Sequence, residues 1–401
     1  MKGKDSMTIP QVIILLFIGY TVFTLDKKQK NIPVPTVLFI LGIGLSFLPF
    51  FQNLEVTKEV LYDIFLPALL FISAYRYSPQ ALKSHAGIIA ALSTVGLVLT
   101  AILLGFFAYV VLGSVLSITF IGALLIASIL TPTDPVSVVS ILKSSSNDEK
   151  VADVVDGESM INDGTSVVLF TVLLGVFTNQ QAFSFWPFLG EFLYVSIGGS
   201  VLGILFGWIV SKAVHFTHHK EVQVMLSIVL AYGNFHLAEY IGVSGVLSTV
   251  AAGIMLSWEF NHTNKEDHYR ESLAGFWDVV EPSLLSIVFL MMGVEMMDHI
   301  AWNLWGWIAL LFIASLVIRF FVISGMVQFF PLWRKTLGWK SAILVTWSGI
   351  RGTMSVVLLL SLEAATSGKA DTLLALCFGV VFLSLIIQSI GIYPLSQRLK
   401  D

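Results

Sequence analysis

The sequence predicts an all-α polytopic membrane protein of about thirteen transmembrane helices, and three observations predict it. Of its 401 residues, 56% are hydrophobic and only 12% charged, and the mean hydropathy is +0.86, a balance outside the range of soluble domains. Thirteen apolar stretches reach spanning length, at about 7–25, 33–50, 58–75, 86–112, 116–142, 151–178, 186–211, 221–239, 242–258, 273–297, 300–330, 341–363 and 371–396. The basic residues then divide by side. Sixteen lie after odd-numbered stretches or at the C-terminus, Lys27, Arg76, Lys143, Lys212, Lys265, Arg334 and Arg398 among them, against four on the other side, Lys2, Lys4, Lys58 and Lys369. That bias places the N-terminus outside and the C-terminus in the cytoplasm.

The elements follow in order. The first stretch runs into Asp26-Lys27-Lys28 without a small-residue cleavage site, so it reads as a retained helix rather than a signal peptide. Several later stretches exceed 25 residues, which implies tilt or extension beyond the bilayer. The fifth is interrupted by Thr131-Pro132-Thr133-Asp134-Pro135, where two prolines remove backbone donors. The twelfth is interrupted by Ser348-Gly349-Ile350-Arg351-Gly352-Thr353. An offset of seven stretches means that these two cross the membrane in opposite directions. Stretches 1–6 and 8–13 then read as inverted repeats with a break at each fifth position, the pattern that marks a transporter's binding site. Half-helix ends carry partial charge, so Asp134 is expected to offset facing N-termini and Arg351 facing C-termini. Thr133 adds a hydroxyl and, where unwound, a carbonyl.

The sixth stretch carries Glu158-Ser159-Met160-Ile161-Asn162-Asp163. Asp163 lies roughly 20 Å along the axis from Lys150, near the middle of a hydrocarbon core roughly 30 Å thick. Ser159 and Asp163 share one helical face, and Glu158 and Asn162 share another about 100° away. Packing between helices explains Ser, Thr or Asn at such depth, but not two acids. The Asp–Ser face is suited to a small cation. The Glu–Asn face needs a partner, and Arg319, buried mid-way along the eleventh stretch, is the cation that needs a carboxylate.

Other ionisable groups carry weaker signals. His215, His218 and His219 form a cytoplasmic cluster that suits a solvated loop better than a pH sensor. Asp153 and Asp156 open the sixth stretch, and Asp278 and Glu281 lie near the cytoplasmic end of the tenth. Each pair fits interfacial solvation or helix-end compensation as well as a cation funnel. Glu239 falls at an external helix end. Cys377, the single cysteine, reads as a small buried residue. No zinc-hydrolase, nucleophile-elbow, nucleotide or nucleic-acid signature is present, so neither an enzyme nor a cofactor is expected.

Together Thr133-Asp134-Pro135, Glu158-Ser159, Asn162-Asp163, Arg319 and Gly349-Ile350-Arg351-Gly352 resemble the cation:proton antiporter-1 family, the NhaP-type bacterial sodium/proton antiporters and animal sodium/proton exchangers. Phe65-Leu66-Pro67-Ala68-Leu69-Leu70-Phe71 and Phe276-Trp277-Asp278 are similar to its third and tenth helices. The resemblance implies one transport domain, with helices 1–3 and 8–10 as a dimerisation panel, helices 4–6 and 11–13 as a moving core, and helix 7 as linker. It implies a multi-pass protein of the cell membrane, a homodimer in lipid. It makes Asp163 the exchanged carboxylate, with Asp134, Thr133, Ser159 and Asn162 around a Na⁺, and Glu158 with Arg319 a structural pair. The Asn-Asp pair implies electroneutral exchange. The sequence ends at Asp401, so no cytoplasmic tail domain is expected.

The function expected is thus secondary exchange of a monovalent cation, Na⁺ first with Li⁺ or K⁺ open, for H⁺. A mid-membrane carboxylate holds a proton or a cation; neutralised either way its core can cross. A cation channel and an intramembrane aspartyl hydrolase are the alternatives. The channel lacks a reason for two broken helices. The hydrolase would pair Asp134 with Asp163 but leaves Glu158 and Arg319 unexplained.

Overall fold

Apolar runs of this length become helices because a hydrocarbon surrounding leaves backbone groups no other partners. The structure, a computed structural model, describes residues 5–25, 33–51, 54–55, 59–134, 138–139, 142, 149–179, 184–214, 219–262, 267–366 and 370–399. Pro135, His215, His218, Lys27, Lys28, Lys143 and Lys265 fall outside these.

The helices are α1 (Ile9–Leu25), α2 (Val34–Ser46), α3 (Leu66–Arg76), α4 (Pro79–Leu116), α5 (Phe120–Leu130), α6 (Glu149–Thr178), α7 (Phe185–Val214), α8 (Lys220–Ile241), α9 (Gly245–His262), α10 (Asp267–Met296), α11 (Trp305–Phe329), α12a (Trp339–Ser348), α12b (Thr353–Thr366) and α13 (Asp371–Arg398). Among the described residues, seven (α4, α6, α7, α8, α10, α11 and α13) are continuous, apolar and long enough to span, and α12a with α12b makes an eighth bent by 46°. Of the remaining apolar helices, α1, α2, α3 and α5 are shorter than the sequence implies. α5 stops at Leu130 because the 131–134 segment is not helical, and α3 is preceded by a π-turn, Val60–Phe65. One short departure from helix is a parallel pairing of Asp5–Ser6 with Leu54–Glu55.

Local chemistry sets several ends. Ser78 and Thr119 cap α4 and α5 by accepting from Ala81 N (3.3 Å) and Gly122 N (3.1 Å), and Pro79 takes the first position of α4, where no N–H is missed. Gly242, at φ +84°, closes α8 in the left-handed conformation that glycine adopts without penalty. Within α4 a π-turn at Leu92–Gly96 leaves the Ser93 carbonyl to accept from Thr165 Oγ1 of α6 (2.6 Å).

Two groups of helices emerge from the packing. α10 lies against α1, α2 and α8, while α9 lies against α3, α7 and α8. α4, α5, α6, α11, α12a, α12b and α13 pack among themselves. The groups meet where α6 touches α3, α7 and α9, where α4 touches α9, where α10 touches α12b and where α2 touches α13. In lipid, close backbone approach replaces the hydrophobic effect as the glue between helices. On α7, Gly199, Gly203 and Gly207 recur every fourth residue, and a Cβ on them would come within 2.5 Å of Ser244 O, 2.1 Å of Ser248 O and 2.8 Å of Met255 Cβ, all on or beside α9. Gly42 of α2 and Gly293 of α10 pack as tightly: a Cβ on them would lie 2.1 Å from Leu290 O and 2.2 Å from Phe39 O.

Gly203→Leu should therefore separate α7 from α9 and destabilise by about 1–3 kcal/mol or more, the cost of overpacking. Gly190→Leu, on the same helix where a Cβ meets nothing within 4 Å, should stay within about 0.5 kcal/mol. Thermal unfolding of both variants in detergent checks this; equal melting temperatures would refute the close-approach account.

Candidate functional site

Helix geometry turns Glu158, Ser159 and Asn162 of α6 toward the 131–134 break and α11. Arg319 Nη2 donates to Glu158 Oε2 at 2.8 Å. Asn162 Nδ2 donates to Glu158 Oε1 at 2.9 Å and to Thr133 Oγ1 at 2.8 Å. Thr133 and Ser159 share a hydroxyl–hydroxyl hydrogen bond of 2.7 Å. The chain Arg319–Glu158–Asn162–Thr133–Ser159 is buried throughout, as charge and hydrogen bonding away from water require.

The two breaks cross here. Asp134 N donates to Ile350 O at 2.7 Å, joining one unwound segment to the other. The glycines flanking Ile350 and Arg351 allow this contact. A Cβ on Gly349 would lie 2.8 Å from Arg319 Nε, and one on Gly352 would lie 2.2 Å from Asp134 Oδ2. Asp134 Oδ2 accepts from Thr353 N and Thr353 Oγ1, both at 3.4 Å, at the N-terminus of α12b. Arg351 Nε donates to Leu130 O, the last residue of α5, at 3.1 Å. An acid thus faces one helix N-terminus and a base one C-terminus. Arg351 is held further by Gln388 Oε1 (3.0 Å) and Ser315 Oγ (2.8 Å), and its N–H donates to Ser384 Oγ (2.9 Å).

Asp163 sits differently. Its Oδ1 is buried and has no hydrogen-bond partner. It lines a cavity of about 50 Å³ with Leu66, Leu70, Ser73, Asp134, Glu281 and Thr353, along the line where α3 and α10 meet α6 and α12b. Glu281, with Asp278, is ion-paired to Arg76 at one end of this line. A second cavity of about 350 Å³, lined by Val167, Leu174, Tyr62, Glu191 and Glu239, lies along the later half of α6. Of the residues expected around a cation, then, the structure brings Asp134 and Asp163 to one cavity. Thr133, Ser159 and Asn162 are hydrogen-bonded to one another and do not line it.

Sequence reasoning missed Ser315, Ser384 and Gln388, the residues that hold Arg351. A signal was present. Ser384 and Gln388 are i and i+4 in an otherwise apolar helix, and Ser315 lies one turn before Arg319. His219 is exposed at the start of α8, and Cys377 is a buried free thiol.

Comparison with known proteins places these residues in context. Residues 12–398 match the family model described as "Sodium/hydrogen exchanger, transmembrane". The chain is 30% identical over 415 residues to the Na(+)/H(+) antiporter NhaH of Halobacillus dabanensis, covering 100% of this chain and 99% of that one. It is 30% identical over 412 residues to the Na(+)/H(+) antiporter NhaP of Pseudomonas aeruginosa, covering 96% of each. Its fold superposes with a TM-score of 0.76 on the sodium proton antiporter MjNhaP1 of Methanocaldococcus jannaschii, at 21% identity and 98% coverage of both chains.

The Glu158–Arg319 contact generates its own test. Removing one partner leaves the other buried and uncompensated, at about 3–5 kcal/mol. Glu158→Gln and Arg319→Gln should each lower thermal stability strongly, and the double variant should recover part of the loss. Strictly additive losses would show that the two side chains do not interact.

Proposed function

The chain belongs to the sodium/hydrogen exchanger family, and from that premise we propose how its buried carboxylates carry the exchange. The protein is a secondary antiporter that exchanges a monovalent cation, Na⁺ first, for H⁺. Family membership sets aside the channel and hydrolase readings. The observation that carries the assignment of roles is the buried oxygen Asp163 Oδ1, without a hydrogen-bond partner in a cavity shared with Asp134. Glu158 is engaged by Arg319 and Asn162, which leaves Asp163 to bind what is transported. A carboxylate without protein donors is stabilised by a proton or by a cation, and the two compete for one site. Asp134, across the same cavity, adds charge that favours the cation. Thr133, Ser159 and Asn162 are positioning residues in this reading, since their polar atoms hold the 131–134 break against α6.

Exchange then needs a motion that presents Asp163 to each side in turn. α4–α6 and α11–α13 form the moving core, and α1–α3 with α8–α10 form the panel through which two copies associate. The cavity with Glu281 near its mouth serves the cytoplasmic side, and the one with Glu191 and Glu239 the outer side. The charge bias of the loops supports that orientation, with the N-terminus outside, in the cell membrane.

Asp163→Asn should abolish cation-coupled proton flux in proteoliposomes while the purified protein keeps its elution profile and melting temperature. Flux at the wild-type rate would remove Asp163 from the mechanism.

Stoichiometry follows from the same assignment. With Glu158 compensated by Arg319 and Asn162 unable to titrate, one proton exchanges for one cation. A 100 mV potential acts on each net charge moved with about 2.3 kcal/mol, a shift of about fiftyfold in the balancing gradient. For the one-to-one cycle there is no shift. Reversal measurements in liposomes, with and without a potassium–valinomycin potential, decide it; a balance point that moves with voltage means that Asp134 also carries a proton.

A further inference from the structure

At the far end of the same line of contact, among the described residues, Glu295, His299 and Glu363 bring three ligand atoms within 4.8 Å of one another. We propose that these three side chains form a divalent transition-metal site, of the kind Zn²⁺ occupies, that bridges α10 and α12b. Glu295 lies in the last turn of α10, His299 in the 3₁₀ turn Met297–His299 that follows it, and Glu363 in the last turns of α12b.

The geometry suits a metal better than an ion pair. His299 Nε2 lies 3.8 Å from Glu295 Oε1 and 3.7 Å from Glu363 Oε2, and it is buried with no hydrogen-bond partner. A protonated imidazole serving one carboxylate would close to about 2.8 Å. Here the nitrogen stays nearly equidistant from two carboxylates. The ring is stacked on Phe378 of α13, with centroids 4.5 Å apart and planes at 3°, which limits its rotation. Zn²⁺ holds nitrogen at about 2.0–2.1 Å and oxygen at about 2.0–2.2 Å, so tetrahedral ligand atoms stand roughly 3.3–3.5 Å apart. The two distances from His299 Nε2 are a few tenths of an ångström wider than that, and all three atoms lie within 4.8 Å of one another, so side-chain rotation of the two glutamates would close the set around an ion. The set of one imidazole and two carboxylates suits zinc and its neighbours rather than Ca²⁺, which takes oxygen alone. The site lies at helix ends, and the Glu363 side chain is 36% exposed, which leaves one face for a water in the fourth position.

The consequence for transport rests on the alternating-access reading above. Glu295 and His299 belong to the panel side and Glu363 to the core. A metal held by all three ties the two bodies together and slows exchange.

The test uses the full-length purified protein with Zn²⁺ as the probe, by isothermal titration and thermal unfolding in detergent. One Zn²⁺ per chain should bind saturably and raise the melting temperature, and Ca²⁺ should not compete. His299→Gln and Glu363→Gln should each weaken binding by roughly tenfold or more, since even changes outside the ligand shell weaken metal sites by that factor. The more exposed Glu363 supplies the answer if the His299 variant fails to fold. No saturable binding, or unchanged binding in both variants, overturns the site. Flux in proteoliposomes is then compared with and without Zn²⁺ inside each variant. Zinc should slow the wild type and slow the variants less. Zinc that binds without slowing the wild type overturns the clamp, whereas a protein inactive without zinc overturns the antiport reading instead.

Discussion

A carboxylate at mid-membrane depth persists only if something compensates its charge, and this molecule arranges three such acids in three ways. Glu158 is answered by a guanidinium, Arg319. Asp134 is answered by the N-terminal end of α12b. Asp163 has an oxygen that no protein donor reaches. In the proposed cycle the transported ion supplies that compensation. The first two arrangements make the third tolerable, because they leave only one acid to be satisfied from outside.

The crossing of the two helix breaks is what sets those arrangements. Unwinding α5 at residue 131 and α12 at residue 349 frees backbone groups that would be costly in hydrocarbon. Each break satisfies the other. Asp134 N donates to Ile350 O, Arg351 reaches Leu130 O, and Ser355 Oγ donates to Ile129 O at 2.8 Å. Glycine at 349 and 352 is the steric condition for that contact, since a methyl group at either position would meet Arg319 or Asp134. The Arg351 cradle of Ser315, Ser384 and Gln388 extends the same logic into α11 and α13, so the core is cross-linked by polar contacts around its own defects. The contact between the helix groups carries fewer. Where α3 and α10 face α6 and α12b there is a narrow cavity at one level and, near the helix ends, the Glu295–His299–Glu363 cluster at another. In the proposed cycle this is the surface along which the core moves, and a metal across it would tie the two groups together.

The amino-acid order alone specifies a helical membrane protein, because hydropathy over twenty residues measures the same transfer energy that folds it. It determined the two breaks, because Pro and Gly act on their own backbone. It determined that Glu158 and Asp163 lie on different faces, because helical spacing is local. Which side chains meet across helices is set by packing instead. Asn162 reads in the sequence as a candidate ligand, yet its amide bridges Glu158 to Thr133. Ser315, Ser384 and Gln388 go unnoticed in the sequence, yet they hold Arg351. The glycines of α7 read as part of an apolar run, yet they face the α9 backbone. Partners across the two breaks lie as many as 226 residues apart, as for Ser355 and Ile129. Hydropathy and spacing describe one helix against its surroundings, whereas a hydrogen bond between helices depends on their register, which packing alone fixes.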